Sequence, residues 1–164
     1  MKKLIVIAAI GKNNELGKDN DLIWHIKGDM NFFKENTINH HVVMGKNTFL
    51  SLPGMLKNRV HLVLNDDDYK FPEGVIVLRN IEEFYEKAKM IDDDIYVIGG
   101  ASIYKQFIDK ADELILTEID DECLDADVYF PSFKYEDYKR IVLKENLDNI
   151  PRYRHVKYIK IKKW

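Results

Sequence analysis

The stretch Leu4-Ile5-Val6-Ile7-Ala8-Ala9-Ile10 decides the fold, because seven consecutive apolar residues are followed at once by the polar segment 11–21. Strands that are buried on both faces of a parallel sheet show this continuous apolar pattern. A secretory signal peptide is the alternative, but the run is at the short limit for a signal core and the polar segment follows it directly. We therefore predict a central, fully buried strand.

Working outward from this strand, the apolar periodicity predicts further strands and helices in alternation. The last third differs, because residues 138–145 and 153–161 alternate apolar and polar residues, which is typical of antiparallel strands with one solvated face. We predict one α/β domain over residues 1–164, with about eight strands in a mostly parallel twisted sheet, an antiparallel C-terminal strand and about four flanking helices. The predicted strands are residues 42–44, 59–64, 75–78, 95–98 and 114–119, the predicted helices are 29–36, 81–90 and 102–110, and 11–21 is a predicted loop.

Charge and composition exclude several classes of function. The 25 basic and 28 acidic side chains give a net charge of −3, without the basic footprint of a nucleic-acid-binding protein. No apolar run reaches the ~18 residues that a membrane span needs. The single cysteine, Cys123, excludes an internal disulfide and suits the cytoplasm. His40 and His41 are expected to face opposite ways on a strand, and the other histidines lack ligand spacing, so no metal site is predicted.

Two predicted strands end in glycine and lead into a helix, at Met44-Gly45-Lys46-Asn47-Thr48 and at Ile98-Gly99-Gly100-Ala101. A helix N-terminus offers free N–H groups, and glycine lets a phosphate approach the backbone closely. In an open α/β sheet the ligand crevice lies at the carboxyl ends of the strands. Together the turns suggest a ligand with two phosphates, although either alone is more often a tight turn.

Asp29 has two possible roles. Near the start of a predicted helix it could cap free backbone amides. Its neighbours Trp24, Met30 and Phe33 would also form an apolar pocket wall, where an ionised carboxylate is costly without a partner. A ligand edge with two N–H donors would satisfy both oxygens, as an arginine does. From the residues alone, the helix cap is favoured.

The segment from Trp24 through Asp29 and Phe33 to Asn36-Thr37 resembles the signature of the dihydrofolate reductase family. The similarity covers about residues 4–131, and seven motifs occur in the expected order: 24–37, 43–49, Arg59 before 62–64, 98–101, Tyr104, 116–120 and Asp127 before Phe130-Pro131. The resemblance implies NADPH-dependent reduction of 7,8-dihydrofolate to tetrahydrofolate, by hydride transfer to C6 and protonation of N5, for one-carbon metabolism. It also implies a monomer that binds antifolate-type inhibitors. The alternatives are another NADPH-dependent heterocycle reductase and a non-catalytic pterin- or nucleotide-binding module.

The resemblance implies a substrate site around Asp29. Asp29 would accept hydrogen bonds from the pterin ring, Thr117 would support the same edge, and Arg59 would bind the α-carboxylate of the glutamate tail. The implied catalytic residues are Asp29, Trp24 and Leu22, and the remaining implied substrate-binding residues are Ile7, Ala9, Met30, Phe33, Leu52, Leu56, Ile98 and Tyr104.

The resemblance also implies an NADPH site, with an adenosine-binding subdomain at roughly residues 40–92, a cis peptide at Gly99-Gly100 and a mobile loop at residues 16–24. The implied cofactor-binding residues are Ala9, Leu16, Gly17, Gly45, Lys46, Asn47, Thr48, Leu64, Asn65, Arg79, Gly99, Gly100, Ala101, Ser102, Ile103 and Tyr104.

Two departures from the family pattern generate hypotheses. Ile23 and Lys27 stand where members often have proline, so the loop is expected to be more flexible. Residues 66–68 are three aspartates close to where Lys46 would bind the 2′-phosphate of NADPH. All three can point to water, but one that points inward would weaken discrimination against NADH unless Arg79 compensates.

Overall fold

The computed structural model describes residues 1–19 and 21–161. Its helices are α1 (Lys27–Thr37), α2 (Lys46–Ser51), α3 (Ile81–Ala88) and α4 (Ala101–Phe107), and a short 3-10 helix covers Tyr135–Asp137. The strands are β1 (Leu4–Ile10), β2 (Glu15–Lys18), β3 (Asp21–Leu22), β4 (His41–Gly45), β5 (Val60–Leu64), β6 (Ile76–Leu78), β7 (Ile95–Val97), β8 (Glu113–Ile119), β9 (Val128–Tyr129), β10 (Tyr138–Asn146) and β11 (Tyr153–Lys160).

Eight strands form one sheet in the order β10-β11-β8-β1-β7-β4-β5-β6. The pairs from β8 to β6 are parallel, whereas β11 runs antiparallel to β8 and β10 antiparallel to β11. The predicted α/β fold, with a mostly parallel sheet and an antiparallel C-terminal end, is confirmed. β1 lies between β7 and β8, as expected for a strand that is apolar on both faces.

Alternate residues of β1 enter the two apolar layers that cover the sheet. Leu4 and Val6 pack with α3 and α4 on one face, and Ile5 and Ile7 pack on the other face beside α1 and α2. These four side chains are at most 5% exposed, and burying an aliphatic side chain of this size contributes about 1.5–3 kcal/mol. The continuous apolar run is therefore the consequence of a strand that has no solvated face.

The segment 11–21 is more ordered than the predicted loop. β2 and β3 pair with each other, and β2 also pairs with β9, forming a separate three-stranded sheet. The prediction was wrong because β2 is completed by a strand more than a hundred residues away, which leaves no periodic pattern in the local sequence. Within the described residues, no helix is long and apolar enough to span a membrane.

Candidate active site

Asp29 and Thr117 form the polar centre of the site. In register across the sheet, Thr117 on β8 lies between Ala9 on β1 and His155 on β11. Asp29, in the first turn of α1, lies over this row, and the Thr117 Oγ1 donates a hydrogen bond of 2.5 Å to its Oδ1. The helix-cap interpretation is wrong, because no side chain caps the N-terminus of α1, which begins after Ile26.

Asp29 is shielded from water without being fully buried. Its side chain remains 22% exposed. Burial raises the pKa of this carboxyl above its usual value, and the hydrogen bond from Thr117 partly opposes the rise. The remaining exposure leaves part of this carboxylate accessible to a ligand.

An apolar wall adjoins Asp29 on the same face of the sheet. Ile7, Phe33, Leu52 and Ile98, which come from four different elements or loops, belong to one apolar layer. Met30 does not extend this wall, because it is 57% exposed. The predicted apolar wall is thus built by residues of β1, α1 and the ends of α2 and β7. Leu56, which follows Leu52 closely in the sequence, is half-buried.

Arg59 is held in a fixed orientation at one end of the site. Its Nε donates to the buried Thr37 Oγ1 at 3.1 Å, and its Nη1 and Nη2 donate to the backbone oxygens of Lys57 and Lys34 at 3.0 and 3.4 Å. The same three cationic residues and Leu56 line an open groove beside α1. A positively charged groove of this kind suits an anionic ligand group.

The two glycine turns meet at the carboxyl ends of β4 and β7. The Gly45 N–H donates to the Gly99 oxygen at 3.0 Å, and the Gly99-Gly100 peptide is cis, as expected. A Cβ on Gly99, whose φ is +125°, would contact the Tyr104 hydroxyl and Thr48 Oγ1 at 3.4 and 3.5 Å. The two turns therefore pack closely together beside Tyr104 and Thr48, and the buried Tyr104 hydroxyl is fixed by donating to the Ile7 oxygen at 2.8 Å.

Lys46 is already paired with a carboxylate. Its Nζ lies 2.6 Å from Asp67 Oδ2. Asp67 Oδ1 accepts from Asn65 Nδ2 at 2.7 Å and from the Tyr69 N–H at 2.9 Å. Three hydrogen bonds hold the pKa of Asp67 well below its usual range. The bond from Lys46 has the largest effect, and those from the Asn65 side chain and the Tyr69 backbone add to it. The three aspartates at residues 66–68 therefore do not all point to water, because the Asp67 carboxylate contacts Lys46.

The segment 16–24 is attached to the segment 121–127. The Trp24 Nε1 donates to Asp121 Oδ2 at 2.9 Å, and the Asp19 N–H donates to Asp127 Oδ2 at 3.0 Å. The Asp127 N–H donates in turn to the Gly17 oxygen at 3.2 Å. These contacts fix Trp24 and Gly17 against the segment 121–127, while Leu22 is 57% exposed.

Comparison with known proteins identifies the family. Residues 3–161 match the family model described as dihydrofolate reductase. The chain is 37% identical over 134 residues to the dihydrofolate reductase of Haemophilus influenzae, with 82% of each chain covered. It is 40% identical over 130 residues to dihydrofolate reductase type 15 of Escherichia coli, covering 79% of this chain and 82% of that protein. The structure of the Enterococcus faecalis dihydrofolate reductase superimposes with a TM-score of 0.86 and 27% identity, covering 98% of this chain and 97% of that chain.

The chain belongs to the dihydrofolate reductase family. As a dihydrofolate reductase it is an NADPH-dependent oxidoreductase that reduces dihydrofolate. The polar pair at Asp29 and Thr117, the apolar wall and the glycine turns form the candidate active site of this dihydrofolate reductase.

Predicted residues of this dihydrofolate reductase that directly follow the carboxyl ends of parallel strands are Lys46 after β4, Asn65 after β5 and Arg79 after β6, whereas Arg59 precedes β5. The side chains of Leu22 and Met30 are exposed, and Arg79 Nη2 lies 3.4 Å from the Asp66 oxygen. Half-buried positions are occupied by Ala9, Leu16, Gly45, Leu64, Asn65 and Ala101, buried positions by Gly17, Gly99 and Ile103, and exposed positions by Asn47 and Ser102.

Sequence reasoning missed two polar residues that contact the predicted ones, Asp121 and His155, and left open which of the aspartates at 66–68 points toward Lys46. Asp121 and Asp67 lie in acidic runs that offer no signal for which carboxylate points inward. His155 has a signal, because it occupies an inward position of the alternating strand β11. The prediction for His40 and His41 was also wrong, since both Nδ1 atoms contact Asp93, at 2.6 and 2.8 Å. His40 precedes β4, so strand alternation does not apply to it; among the described residues no cluster suited to a metal ion occurs.

Proposed function

We propose that Asp29 binds the pterin ring of dihydrofolate through the ring's N–H edge, with Thr117 holding the carboxylate in place. The observation that carries this proposal is the bond between Thr117 on β8 and Asp29 on α1, which fixes one oxygen and leaves the side chain 22% exposed. Few water molecules can donate hydrogen bonds to a carboxylate that is mostly buried. A ligand edge with two N–H donors supplies a hydrogen bond to each of its oxygens. Binding of those donors lowers the raised pKa of Asp29 again.

The apolar wall and Arg59 bind the rest of the substrate in this proposal. Ile7, Phe33, Leu52 and Ile98 contact the flat ring system, and Leu56 and Met30 cover the benzoyl group. Arg59 binds the α-carboxylate of the glutamate tail, because Thr37 and two backbone oxygens already orient its guanidinium. A pre-oriented guanidinium loses little conformational entropy when it binds a carboxylate.

The glycine turns fit NADPH. The two turns converge at Gly45 and Gly99, where a backbone without a side chain lets a phosphate approach closely, and Lys46 supplies a cation beside them. We assign the pyrophosphate region to the turns at 45–48 and 99–104, the adenosine end to the subdomain at roughly 40–92 with Leu64, Asn65 and Arg79, and the nicotinamide end to Ala9, Leu16 and Gly17. When bound there, NADPH supplies the hydride for C6 of the substrate.

The residues of the chain orient the reacting groups and exclude water. Asp29 polarises the pterin and stabilises the positive charge that develops on it, and water supplies the proton at N5. The segment 16–24, with Leu22 and Trp24, covers the site when it is attached to the segment 121–127. Exclusion of bulk water strengthens the electrostatic effect of Asp29.

The finer assignments of partners and location are part of the same proposal. The Enterococcus faecalis structure contains NADP(H) and RAB-propyl, which supports binding of NADPH and antifolate-type inhibitors by this chain. We further propose a monomer that acts in the cytoplasm, where the single cysteine, Cys123, remains reduced.

The test is NADPH oxidation on addition of dihydrofolate, measured for the wild type and for Asp29→Asn. Because Asn keeps the size and the hydrogen-bond acceptor but not the charge, we expect a loss of about 100-fold or more in kcat/KM at neutral pH. Asp148→Asn, an exposed position in the hairpin between β10 and β11, is the matched control and should retain the wild-type rate. Equal rates for the wild type and Asp29→Asn would overturn the proposed role.

A further inference from the structure

A buried histidine extends the polar pair of the active site. His155 Nδ1 lies 2.9 Å from Thr117 Oγ1, the same hydroxyl oxygen that contacts Asp29. The ring is 4% exposed and stacks on Phe32, with centroids 3.7 Å apart and an interplanar angle of 8°. Asp29, Thr117 and His155 therefore form a continuous row from α1 through β8 to β11.

With Asp29 ionised, its carboxylate can only accept hydrogen bonds, and this fixes the protons in the row. A threonine hydroxyl has one proton, which Thr117 donates to Asp29 Oδ1. The contact with His155 must then be donated by the histidine, so its Nδ1 carries a proton. His155 Nδ1 is 3.9 Å from Asp29 Oδ1, too far for a direct hydrogen bond, so the two groups interact through Thr117.

We propose that His155 is a positioning residue that directs the Thr117 hydroxyl toward Asp29 and thereby favours the ionised carboxylate. The inference rests on the proposed function of Asp29. A donor that binds the hydroxyl oxygen polarises the O–H bond, and the hydroxyl becomes a better donor to the carboxylate. A hydrogen bond to the charged form of an acid lowers its pKa, which opposes the effect of burial on Asp29.

The surroundings of His155 keep it neutral, as this role requires. Burial, reinforced by the positive charge of Lys144 on β10, lowers the pKa of His155 to about 4. The groups that face it are Asp29 from α1, Thr117 from β8, Lys144 from β10 and Tyr153 on its own strand. A neutral imidazole can donate from Nδ1 without adding a second charge beside the substrate.

A neutral histidine can also adjust to a change in Asp29. If Asp29 is protonated, its hydroxyl donates to Thr117 Oγ1, and Thr117 donates to His155 Nδ1. The imidazole then carries its proton on Nε2, so all three groups remain paired in both states. A phenylalanine at this position would keep the stack on Phe32 but could not pair with Thr117 in either state.

The first experiment uses the unmodified protein. NMR of the 15N-labelled ligand-free chain at neutral pH reports which nitrogen of His155 carries the proton. The proposal expects a neutral ring protonated on Nδ1. A neutral ring protonated on Nε2 would overturn it without any variant having been made.

The second experiment compares His155→Phe with His155→Asn in single-turnover hydride transfer over a range of pH. Phenylalanine keeps the ring stack and removes the donor, whereas asparagine keeps a donor close to Nδ1 and removes the ring. We expect His155→Phe to raise the apparent pKa of the pH–rate profile by about half a unit and His155→Asn to restore it toward the wild type. A larger shift in His155→Asn than in His155→Phe would show a packing role and overturn the proposal.

A double-variant comparison separates this inference from the proposed function. In a Thr117→Val background, where the row is broken, His155→Phe should no longer move the apparent pKa. An unmoved profile for His155→Phe in the Thr117-containing protein would overturn the role of His155 alone. Wild-type activity of Asp29→Asn would instead overturn the proposed role of Asp29, whatever the histidine variants show.

Discussion

Lys46 Nζ lies 2.6 Å from Asp67 Oδ2, so the cation expected to bind the 2′-phosphate of NADPH is already paired. The Asn65 side chain and the Tyr69 backbone hold Asp67 in this orientation. A phosphate that approaches Lys46 must therefore displace this carboxylate or lie beside it. NADH has no 2′-phosphate and meets no such competition, so we expect the pair to reduce the advantage of NADPH.

Asp67→Asn should increase the preference of the enzyme for NADPH over NADH. Exposed ion pairs have modest strength, so we expect about a threefold rise in the ratio of the two kcat/KM values. The dissociation constant of NADPH, measured by quenching of protein fluorescence, should fall by a similar factor. Asp68→Asn removes the same charge one residue away and is the matched control. An equal change in both variants would mean that general electrostatics, rather than the Lys46 pair, sets the preference.

Asp29→Asn should make the ligand-free protein more stable although it makes it less active. The folded pKa of Asp29 is raised, mainly by burial. The folded state therefore binds this proton more tightly than the unfolded state, and stability falls as the pH rises from about 4 through the folded pKa. Asparagine removes this cost, so we expect the midpoint of thermal unfolding at pH 7 to rise by about 2–4 °C. The gain should disappear toward pH 3; a gain independent of pH would contradict the explanation.

The parts of the fold that could be predicted are those with a local cause. The run at residues 4–10 must be buried on both faces, and glycine at the ends of β4 and β7 marks the turns. What could not be predicted depends on distant partners. β2 pairs with the distant strand β9, and the short sequence of β2 shows no pattern that predicts a strand. Among the acidic residues, only the folded chain distinguishes Asp67, which contacts Lys46, from its neighbours.

At the substrate end of the site, too, the contacts that depend on distant partners could not be predicted from the residues alone. The residues themselves favoured a helix cap for Asp29, and the family resemblance pointed to the pairing with Thr117 that the structure contains. The alternation of β11 indicates that His155 points inward, but its contact with Thr117 depends on the register between β8 and β11, which no local sequence pattern specifies. Side chains that act across strands are thus the least predictable part of this site.

Asp93→Asn should destabilise the protein at neutral pH. Asp93 accepts from His40 and His41 and from the backbone N–H of His41, joining the start of β4 to the start of β7. Burial raises the pKa of Asp93, but the histidine hydrogen bonds outweigh it, and the net pKa is lowered. Its stabilisation is therefore present above about pH 4 and is lost as the pH falls through the lowered pKa. We expect a loss of about 1 kcal/mol at pH 7 in urea unfolding. Asp92→Asn, an exposed neighbour, should have little effect; a loss that persists below pH 3 would contradict the prediction.

Lys27→Pro should stabilise the protein. Lys27 is the first residue of α1, a position where proline is favoured because its fixed φ suits the helix and its missing N–H is not needed there. The preceding residue, Ile26, has φ −106° and ψ 116°, which is the conformation that a following proline requires. We expect a gain of about 0.4–1 kcal/mol in the free energy of unfolding, measured in urea. Lys34→Pro, within the same helix, should destabilise it by about 3 kcal/mol and serves as the contrast. A destabilising Lys27→Pro would show that the Lys27 N–H has a needed partner.

Ile23→Pro should slow product release more than hydride transfer. Ile23 follows β3 and precedes Trp24, whose indole N–H is bonded to Asp121. Proline restricts the backbone of the segment 16–24 more when this segment is detached from the segment 121–127 than when it is attached. The attached arrangement is therefore favoured. In the proposed function this segment covers the site and must move when product leaves, whereas Asp29 on α1 and Thr117 on β8 orient the reacting groups. Single-turnover hydride transfer should change by less than about twofold, and the steady-state rate after the burst should fall by about fivefold. His25→Pro, two residues later and beyond Trp24, tests whether the position matters. Slower hydride transfer with unchanged release would refute the hypothesis.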